Sequence, residues 1–273
     1  MNIAVIGCGY VGKAIASLWR ERGAFVTATT RTENNLPTIK PYCDQAVVLS
    51  SDSLDSLAQI LEENSVVYIC VAPKDAAGYE ETYLHTAQTI REALPSISNR
   101  GLIVYFSSTS VYAEDRGRWV DEDSPLDEKR PHARILIQTE NTLLECRDFG
   151  WDVCIFRLGE IYGPGRDLRQ KALHFLKHPG ECYGENYTNM VHVGDIAHAA
   201  QFAADHSLKG IFNLVDNTHP IRKELYAQVC ALYNLPLITW GTTSSTLHGQ
   251  NKRASNDLIK RRGLPLLYPD RFL

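Results

Sequence analysis

Apolar and polar residues alternate along the chain in a pattern that predicts a succession of strands and helices. Residues 2–6 are short, apolar and β-branched, which is typical of a strand buried on both faces of a parallel sheet. An amphipathic helical stripe follows, with apolar residues every three or four positions up to Trp19. Gly23 ends this helix, and residues 24–30 read as a second strand.

The alternation of strands and helices continues to about residue 158. The elements predicted there are a loop over 34–41, a strand over 44–49, a helix capped by Ser53 or Asp55, a strand over 65–72, a helix over 78–94, a strand over 101–107, a helix over 132–149 and a strand over 152–158. Beyond Gly163 we expect a helix and loop over 165–189, a helix over 193–205, a strand over 210–215, a helix over 221–233 and a helix near 254–262. This order predicts an α/β fold: a doubly wound parallel sheet with a small C-terminal substrate lobe.

Three glycines open the first predicted helix, in the spacing Gly7-x-Gly9-x-x-Gly12. Gly7 permits a tight turn, Gly9 removes the side chain that would block a pyrophosphate, and Gly12 lets helix and strand pack closely. The phosphates would then meet free N–H groups at the positive end of a helix. The turn therefore predicts a dinucleotide site, the alternative being a glycine-rich turn that binds nothing.

The end of the second predicted strand bears on the choice of dinucleotide. An acid there would accept from a ribose 2′-hydroxyl, whereas this chain has Thr30 and Arg31, with no acid before Glu33. A guanidinium can hold a 2′-phosphate that a carboxylate would repel. We therefore expect NADP rather than NAD, unless Arg31 is only a solvated surface residue.

Composition narrows the classes of partner and compartment. The net charge of −4 and the pI near 6.1 give no basic field for nucleic acid. We see no secretory leader and no apolar run long enough for a membrane span, so we expect a cytoplasmic protein without a membrane partner. The seven cysteines show no metal-binding spacing, which favours reduced, structural thiols and no metal site.

Four phrases stand in an order that points to a family. They are SSTSVYAEDRGRWVDEDSP over 107–125, FRLGEIYGPGRD over 156–167, NMVHVGDIAHA over 189–199 and NKRASNDLIKRRG over 251–263. With the glycine turn, they make the chain resemble the NAD-dependent epimerase/dehydratase family, the extended and atypical branch of the short-chain dehydrogenase/reductases. The resemblance covers nearly the whole chain. It implies a seven-stranded Rossmann sheet, oxidoreductase or epimerase activity, and pairing as a homodimer.

The resemblance also implies roles for individual residues. Asp52 matches the acid that contacts adenine, Ala72 and Pro73 match the segment that lines the nicotinamide ribose, and Thr109 matches the catalytic Ser or Thr. Tyr162 belongs to a segment that meets nicotinamide and substrate, and His192 begins a turn on the substrate side. Together with the turn and the strand ends, the candidate cofactor contacts are Gly7, Gly9, Tyr10, Val11, Gly12, Thr30, Arg31, Asp52, Ala72, Pro73 and Ser107.

The chain departs from the family at its acid/base pair. Members carry Tyr-x-x-x-Lys on the helix after the Ser/Thr loop, and alignment on Glu140 places His132 and Leu136 in those two positions. His132 could serve as an acid or base near neutral pH, or be only a solvated residue at a helix start. Tyr112 could donate to a substrate oxygen, or simply pack after Val111.

These observations lead to one expected function and an alternative. Residues 1–163 with about 190–216 would bind NADP, and about 164–189 with 217–273 would form the substrate lobe. The expected activity is that of an epimerase/dehydratase-like oxidoreductase on a small polar substrate, such as a sugar nucleotide. Lys252 and Arg253 would bind an anionic substrate, unless Arg253 only pairs with Asp257 along a helix. The alternative is a non-catalytic NADP-binding sensor that has lost the Tyr-Lys pair.

Overall fold

The computed structural model describes residues 1–181, 183–242 and 250–271. Its strands are β1 Asn2–Ile6, β2 Phe25–Thr30, β3 Gln45–Val48, β4 Val66–Ile69, β5 Leu102–Ser108, β6 Trp119–Val120, β7 Asp152–Leu158, β8 Glu160–Tyr162, β9 Met190–His192, β10 Gly210–Leu214 and β11 Arg253–Ala254. Its helices are α1 Tyr10–Glu21, α2 Leu36–Ile39, α3 Leu54–Glu63, α4 Thr86–Ala93, α5 Pro131–Leu144, α6 Leu168–Lys177, α7 Val193–Asp205, α8 Arg222–Leu232 and α9 Asp257–Arg261.

The central sheet has the strand order β10-β7-β5-β4-β1-β2-β3. β1 pairs in parallel with both β2 and β4, and the parallel pairing continues to β3 on one side and to β5 on the other. The chain therefore moves outward from β1 to β3 and returns to β4 on the opposite side of β1. This is the switch point at whose carboxyl edge doubly wound sheets bind ligands. The predicted α/β fold with a doubly wound parallel sheet is confirmed.

Alternate residues of the buried strands pack against different helices, as the strand period of two requires. Ala4 and Ile6 of β1 belong to a core cluster with Leu57 of α3, Ile90 of α4 and Leu143 of α5. On β4, Val67 and Ile69 join the same cluster.

Tyr68, between those two residues of β4, points the other way. Its hydroxyl accepts from Nε1 of Trp19 on α1 (2.9 Å) and donates to the carbonyl of Ala200 on α7 (3.1 Å). Helices therefore cover both faces of the sheet.

The chain divides into two compact units, each assembled from three separate stretches. Unit 1 comprises Met1–Ser107, Glu128–Phe156 and Ile196–Phe212; unit 2 comprises Ser108–Asp127, Arg157–Asp195 and the chain from Asn213 onward. Unit 1 contains most of the central sheet. Within unit 2, α6 and α8 pack through Phe175 and Tyr226, whose rings meet edge to face at 4.9 Å.

Several element boundaries differ from the sequence-based predictions. The loop predicted over 34–41 contains α2, a single turn whose Pro37 lies in the first turn, where the missing N–H costs no hydrogen bond. The helix predicted over 78–94 contains a π-helical turn at Glu81–His85 before α4. The helix predicted near 254–262 begins only at Asp257, because residues 253–254 pair with β6. In the described ranges, no helix is long and apolar enough to cross a membrane.

Candidate cofactor and substrate sites

The glycine turn that follows β1 is crowded at two of its three glycines. A Cβ on Gly7, whose φ is +85°, would lie 2.9 Å from the backbone of Val71. A Cβ on Gly12 would lie 2.7 Å from the carbonyl oxygen of Gly7 and 3.0 Å from Cγ1 of Val5. Both positions therefore require glycine for backbone packing, Gly7 also for its positive φ.

Gly9 has the opposite environment. A Cβ placed on it would meet nothing within 4 Å. Gly9 is also the N-cap of α1, and no side chain caps this helix end. Open space thus lies directly before the N-terminal end of a twelve-residue helix, the end that attracts anions. A dinucleotide pyrophosphate fits this arrangement, with Tyr10 and Val11, both half-buried, as the first helical residues.

Hydrogen bonds from Gly7 and Cys8 to Thr29 fix the glycine turn to β2. The N–H of Gly7 donates to Oγ1 of Thr29 (3.0 Å), and the N–H of Cys8 donates to the carbonyl of the same residue (2.8 Å). Cys8 is 5% exposed, and burial raises the pKa of its thiol to about 12. The Cys8 side chain therefore stays protonated and inward, while the backbone of the turn faces the open space at Gly9.

The other predicted cofactor contacts of unit 1 lie at strand ends or in the loops that follow. Thr30 is the last residue of β2, and Arg31 after it is exposed, with Nη1 3.5 Å from Oγ1 of Thr82. Asp52 follows β3, and the hydroxyl of Ser50 donates to its carboxylate and holds the pKa of Asp52 below its ordinary value.

After β4, Ala72 is exposed and Pro73 half-buried. The Ser107 hydroxyl, at the end of β5, donates to Oε1 of the buried Glu140 (2.5 Å). Glu140 therefore holds the Ser107 side chain from α5.

The two positions where the family carries Tyr and Lys lie on α5. His132 is half-buried, and its ring packs edge to face on Tyr79 at 4.7 Å. Leu136, one turn later, is 1% exposed and so occupies core. A buried leucine cannot hold a ribose hydroxyl or lower the pKa of a neighbouring acid.

Unit 2 contains a cavity of about 420 Å³ that includes Thr109. Its wall consists of Ser108, Thr109, Ser110, Leu158, Gly159, Glu160, Lys171, Phe175, Tyr187, Thr188, Asn189, Arg222, Gln250 and Lys252. Among these described residues the cationic side chains are Lys171, Arg222 and Lys252, against the single carboxylate of Glu160, which pairs with Lys171. The wall therefore has a net positive charge in a chain whose net charge is −4.

Tyr112, predicted as a proton donor, lies in the interior of unit 2. It is 0% exposed, and its hydroxyl donates to Oδ1 of Asn213 (2.6 Å) and accepts from Nη1 of Arg157 (3.1 Å). Burial raises the pKa of Tyr112 to about 12 against the opposing effect of Arg157. This environment favours the packing role over proton transfer.

Tyr162 and His192 line a second, smaller cavity of unit 2, of about 230 Å³. Their ring centres are 5.1 Å apart, and the His192 ring lies against that of Tyr268, with 3.6 Å between ring centres and a tilt of 33°. The N–H of Gly194 donates to Nδ1 of His192 (3.1 Å), and burial lowers the pKa of this imidazole. His192 is therefore neutral at physiological pH, with its proton on Nε2.

Arg253 lies between two aromatic rings. Its guanidinium carbon is 5.0 Å from the ring centre of Trp119 and 4.7 Å from that of Tyr187, and Nε donates to the Gly117 carbonyl (2.9 Å). Arg253 belongs to β11, so the alternative of a helical pair with Asp257 is wrong, because α9 begins only at Asp257. Lys252, the other residue of that prediction, lines the larger cavity.

Sequence reasoning missed Lys171, Arg222 and Gln250 of the cavity wall. Lys171 and Arg222 come from α6 and α8, where a polar helix residue carries no motif, and only the fold brings them to Thr109. The described cysteines are all free thiols, and Cys182 lies outside the described residues. Across 1–181, 183–242 and 250–271, no cluster of three or more His, Cys, Asp or Glu residues could hold a metal ion.

A doubly wound sheet with a glycine turn at its switch point defines a dinucleotide-binding α/β protein. Comparison with known sequences refines this class. The chain belongs to the NAD-dependent epimerase/dehydratase family, whose model matches residues 3–214.

Individual relatives match along nearly the whole chain. Protein YeeZ of Escherichia coli K12 is 27% identical over 289 aligned positions, which cover 98% of this chain and 97% of YeeZ. The Thermus thermophilus UDP-glucose 4-epimerase in complex with NAD is 20% identical with a TM-score of 0.79, covering 98% of this chain and 94% of the epimerase. The human epimerase family protein SDR39U1 (isoform 2) with NADPH is 17% identical with a TM-score of 0.80, covering 99% and 96%. At these identities the two structures show a shared fold.

Proposed function

We propose that the chain is an NADP-dependent oxidoreductase of the epimerase/dehydratase type, acting on a small, polar, negatively charged substrate such as a sugar nucleotide. The observation that carries this proposal is the cavity of unit 2, in which Thr109 shares a wall with three cationic side chains and one carboxylate. Cationic side chains in a cavity wall favour an anionic ligand. The named activity of the Thermus relative on UDP-glucose is consistent with such a ligand.

The cofactor proposal rests on unit 1. The N–H groups at the start of α1 would bind the pyrophosphate, and the exposed Arg31 would bind the 2′-phosphate of NADP. When bound, the nicotinamide would supply or accept a hydride. The human relative solved with NADPH agrees with this choice, whereas the Thermus epimerase holds NAD.

In unit 2, the Thr109 hydroxyl would donate a hydrogen bond to the substrate oxygen at the reacting carbon. Tyr162 and His192 would border the substrate from the smaller cavity. The domain ranges expected from the sequence, the homodimer and the cytoplasmic location stay predictions.

Titration of the purified protein with NADPH and with NADH, followed by reduced-nicotinamide fluorescence, tests the cofactor. We expect NADPH to bind at least about ten-fold more tightly, equivalent to one charge-assisted contact. Turnover is then tested as NADPH oxidation with anionic carbonyl compounds (pyruvate, glyceraldehyde 3-phosphate, a keto-sugar nucleotide) and as NADP⁺ reduction with UDP-glucose. Binding of neither dinucleotide would contradict the proposal at its first step.

One observation favours a second candidate, a non-catalytic NADP-binding sensor. Leu136 is buried where the family carries its catalytic lysine, so the usual proton relay is missing from α5. A sensor would bind NADPH and oxidise it with none of these carbonyls. Any turnover above the rate without protein excludes this candidate.

A further inference from the structure

Lys252 stands out among the groups that line the cavity of unit 2. Its side chain is almost fully enclosed, with the residue 4% exposed, yet it forms part of the same wall as Thr109. Nζ donates to Oε1 of Gln250 at 2.9 Å. The ammonium group is therefore held at the cavity by a neighbouring amide and does not extend into bulk solvent.

The chain around Lys252 is fixed on both sides by hydrogen bonds. The side chain of Asn189 donates to the carbonyl of Lys252 (2.9 Å) and accepts from the N–H of Ala254 (2.6 Å). Nε2 of Gln250 donates to the carbonyl of Tyr112, a residue that is itself buried. Such support places the ammonium before any ligand arrives, which is what efficient proton transfer requires.

The other charged or titratable groups of this wall are less suited to release a proton. Arg222 keeps its proton in proteins, and Nη1 donates to the carbonyl of Tyr183 (3.1 Å). Lys171 and Glu160 form an ion pair with each other. Tyr187 turns its ring to the Arg253 guanidinium. Lysine, in contrast, is a known acid and base in enzymes when it is held out of water.

We propose that Lys252 is the proton donor of this cavity and takes the part that Tyr plays elsewhere in the family. This inference rests on the proposed function. In carbonyl reduction, reduced NADP would supply a hydride to the substrate carbon when bound. Nζ of Lys252 would donate a proton to the substrate oxygen, and Thr109 would hold that oxygen. On the substrate, the C=O π bond would be replaced by a new C–H and a new O–H bond. The bonds broken in exchange would be the C–H bond that carried the hydride in the reduced nicotinamide and one N–H bond of Lys252, and solvent would then return a proton to the amine. Alcohol oxidation reverses each transfer.

Two substitutions separate proton transfer from charge. Lys252→Arg keeps the positive charge but cannot release a proton, whereas Lys252→Met removes both. With the carbonyl that the wild type reduces fastest, we expect both variants to lose roughly 10²- to 10⁴-fold in kcat. KM should stay near the wild-type value in Lys252→Arg and rise in Lys252→Met, since only the latter loses the charge that attracts an anion. The exposed Lys177→Arg is the matched control and should behave as the wild type.

The pH dependence of kcat distinguishes a proton donor from a lysine with a purely structural role, because a structural lysine would not affect it. Wild-type kcat for carbonyl reduction should fall as pH rises through the ionisation of Lys252, because only the ammonium form donates. The residual rate of Lys252→Arg should be flat over the same range. Near wild-type kcat in Lys252→Arg, or an unchanged pH profile, would overturn the assignment of Lys252 alone. A wild type that binds NADPH but reduces no carbonyl would overturn the proposed function, and this inference with it.

Discussion

Arg31 is the residue on which the choice between NADP and NAD depends. It follows β2 directly, and its side chain is exposed, with a long contact to Thr82. The Thr82 hydroxyl is uncharged and 3.5 Å away, so it competes only weakly with a phosphate for the guanidinium.

We expect Arg31→Glu to weaken NADPH binding by about 1–3 kcal/mol, a rise in Kd of roughly 5- to 150-fold, because a charge-assisted pair becomes a repulsion. NADH binding should change little. Fluorescence titration measures both constants. Arg116→Glu, exposed in unit 2, makes the same change in net charge and is the control. Equal NADPH affinity in the two variants would refute the role of Arg31.

Tyr112 makes a second residue-scale prediction, now of stability. Its hydroxyl satisfies both Asn213 and the 2%-exposed Arg157. Tyr112→Phe leaves these buried groups without that partner, so the free energy of unfolding should fall by about 1–3 kcal/mol. Urea unfolding measures the loss, and kcat should remain close to the wild-type value. A large fall in kcat with an unchanged free energy of unfolding would instead support a catalytic role for Tyr112.

At single residues, the sequence could predict a functional position only where neighbouring residues in the chain form a motif. Gly7, Gly9 and Gly12 lie within six residues of one another, so one local motif reveals them. Steric crowding requires glycine at Gly7 and Gly12, whereas Gly9 borders open space. The phrase around Lys252 drew attention to the right stretch, but whether Lys252 or Arg253 faces the cavity depends on how residues 253–254 pair with β6. Lys171 and Arg222 reach the same cavity from different helices, so no local pattern could reveal them.

At the scale of elements, the strand–turn–helix unit allows binding and stability to be separated. Gly12→Ala would put a methyl group 2.7 Å from a carbonyl oxygen, so the turn and α1 must shift. We expect a loss of about 1–3 kcal/mol in stability, seen as a lower Tm without ligand.

Gly9→Ala is the matched partner of that substitution. The new methyl group would meet no protein atom within 4 Å. The Tm of the free protein should therefore fall less than in Gly12→Ala, while NADPH should no longer raise it, since the methyl group occupies the proposed phosphate space. A Gly9→Ala protein that binds NADPH normally would show that the open space at Gly9 holds no pyrophosphate.

The element boundaries show where sequence patterns give less information. Buried strands such as β4 were found because their residues are apolar without interruption. The short helix α2 was missed because Pro37 and the asparagines before it read as a loop, although proline suits a first helical turn. Short elements depend on tertiary contacts more than on their own composition.

At the scale of the whole molecule, each unit draws on three stretches of chain, and its stability depends on contacts far apart in sequence. In unit 2, Nδ1 of His219 donates to the carbonyl of Thr188 (3.2 Å). Burial lowers the pKa of His219 from 6.5 to about 4, with help from the charges of Arg271, Arg253 and Lys260. The folded state therefore keeps this imidazole neutral where the unfolded chain would protonate it.

Stability should accordingly decrease as the pH falls from about 6.5 towards about 4, because the unfolded state binds the proton first. With allowance for partial solvent exposure, the effect between neutral pH and pH 5 is about 1–2 kcal/mol. His219→Asn keeps a donor for Thr188 and removes the titration. Unfolding of both proteins across this range isolates the contribution of His219 as a difference. Parallel pH dependences would mean that His219 titrates normally in the folded protein.

The chemical reactivity of the Cys8 thiol can report on whether the glycine turn is closed or open. With a pKa of about 12, the folded protein at pH 8 holds only about 10⁻⁴ of this thiol as thiolate, the form that alkylating reagents attack. An opened turn would expose a thiol of ordinary pKa and react far faster. The rate at which iodoacetamide modifies Cys8, followed by peptide mass spectrometry, would therefore measure how often the turn opens. Any molecule that seats at Gly9 should slow it, so ligands could be found without knowledge of the reaction they undergo.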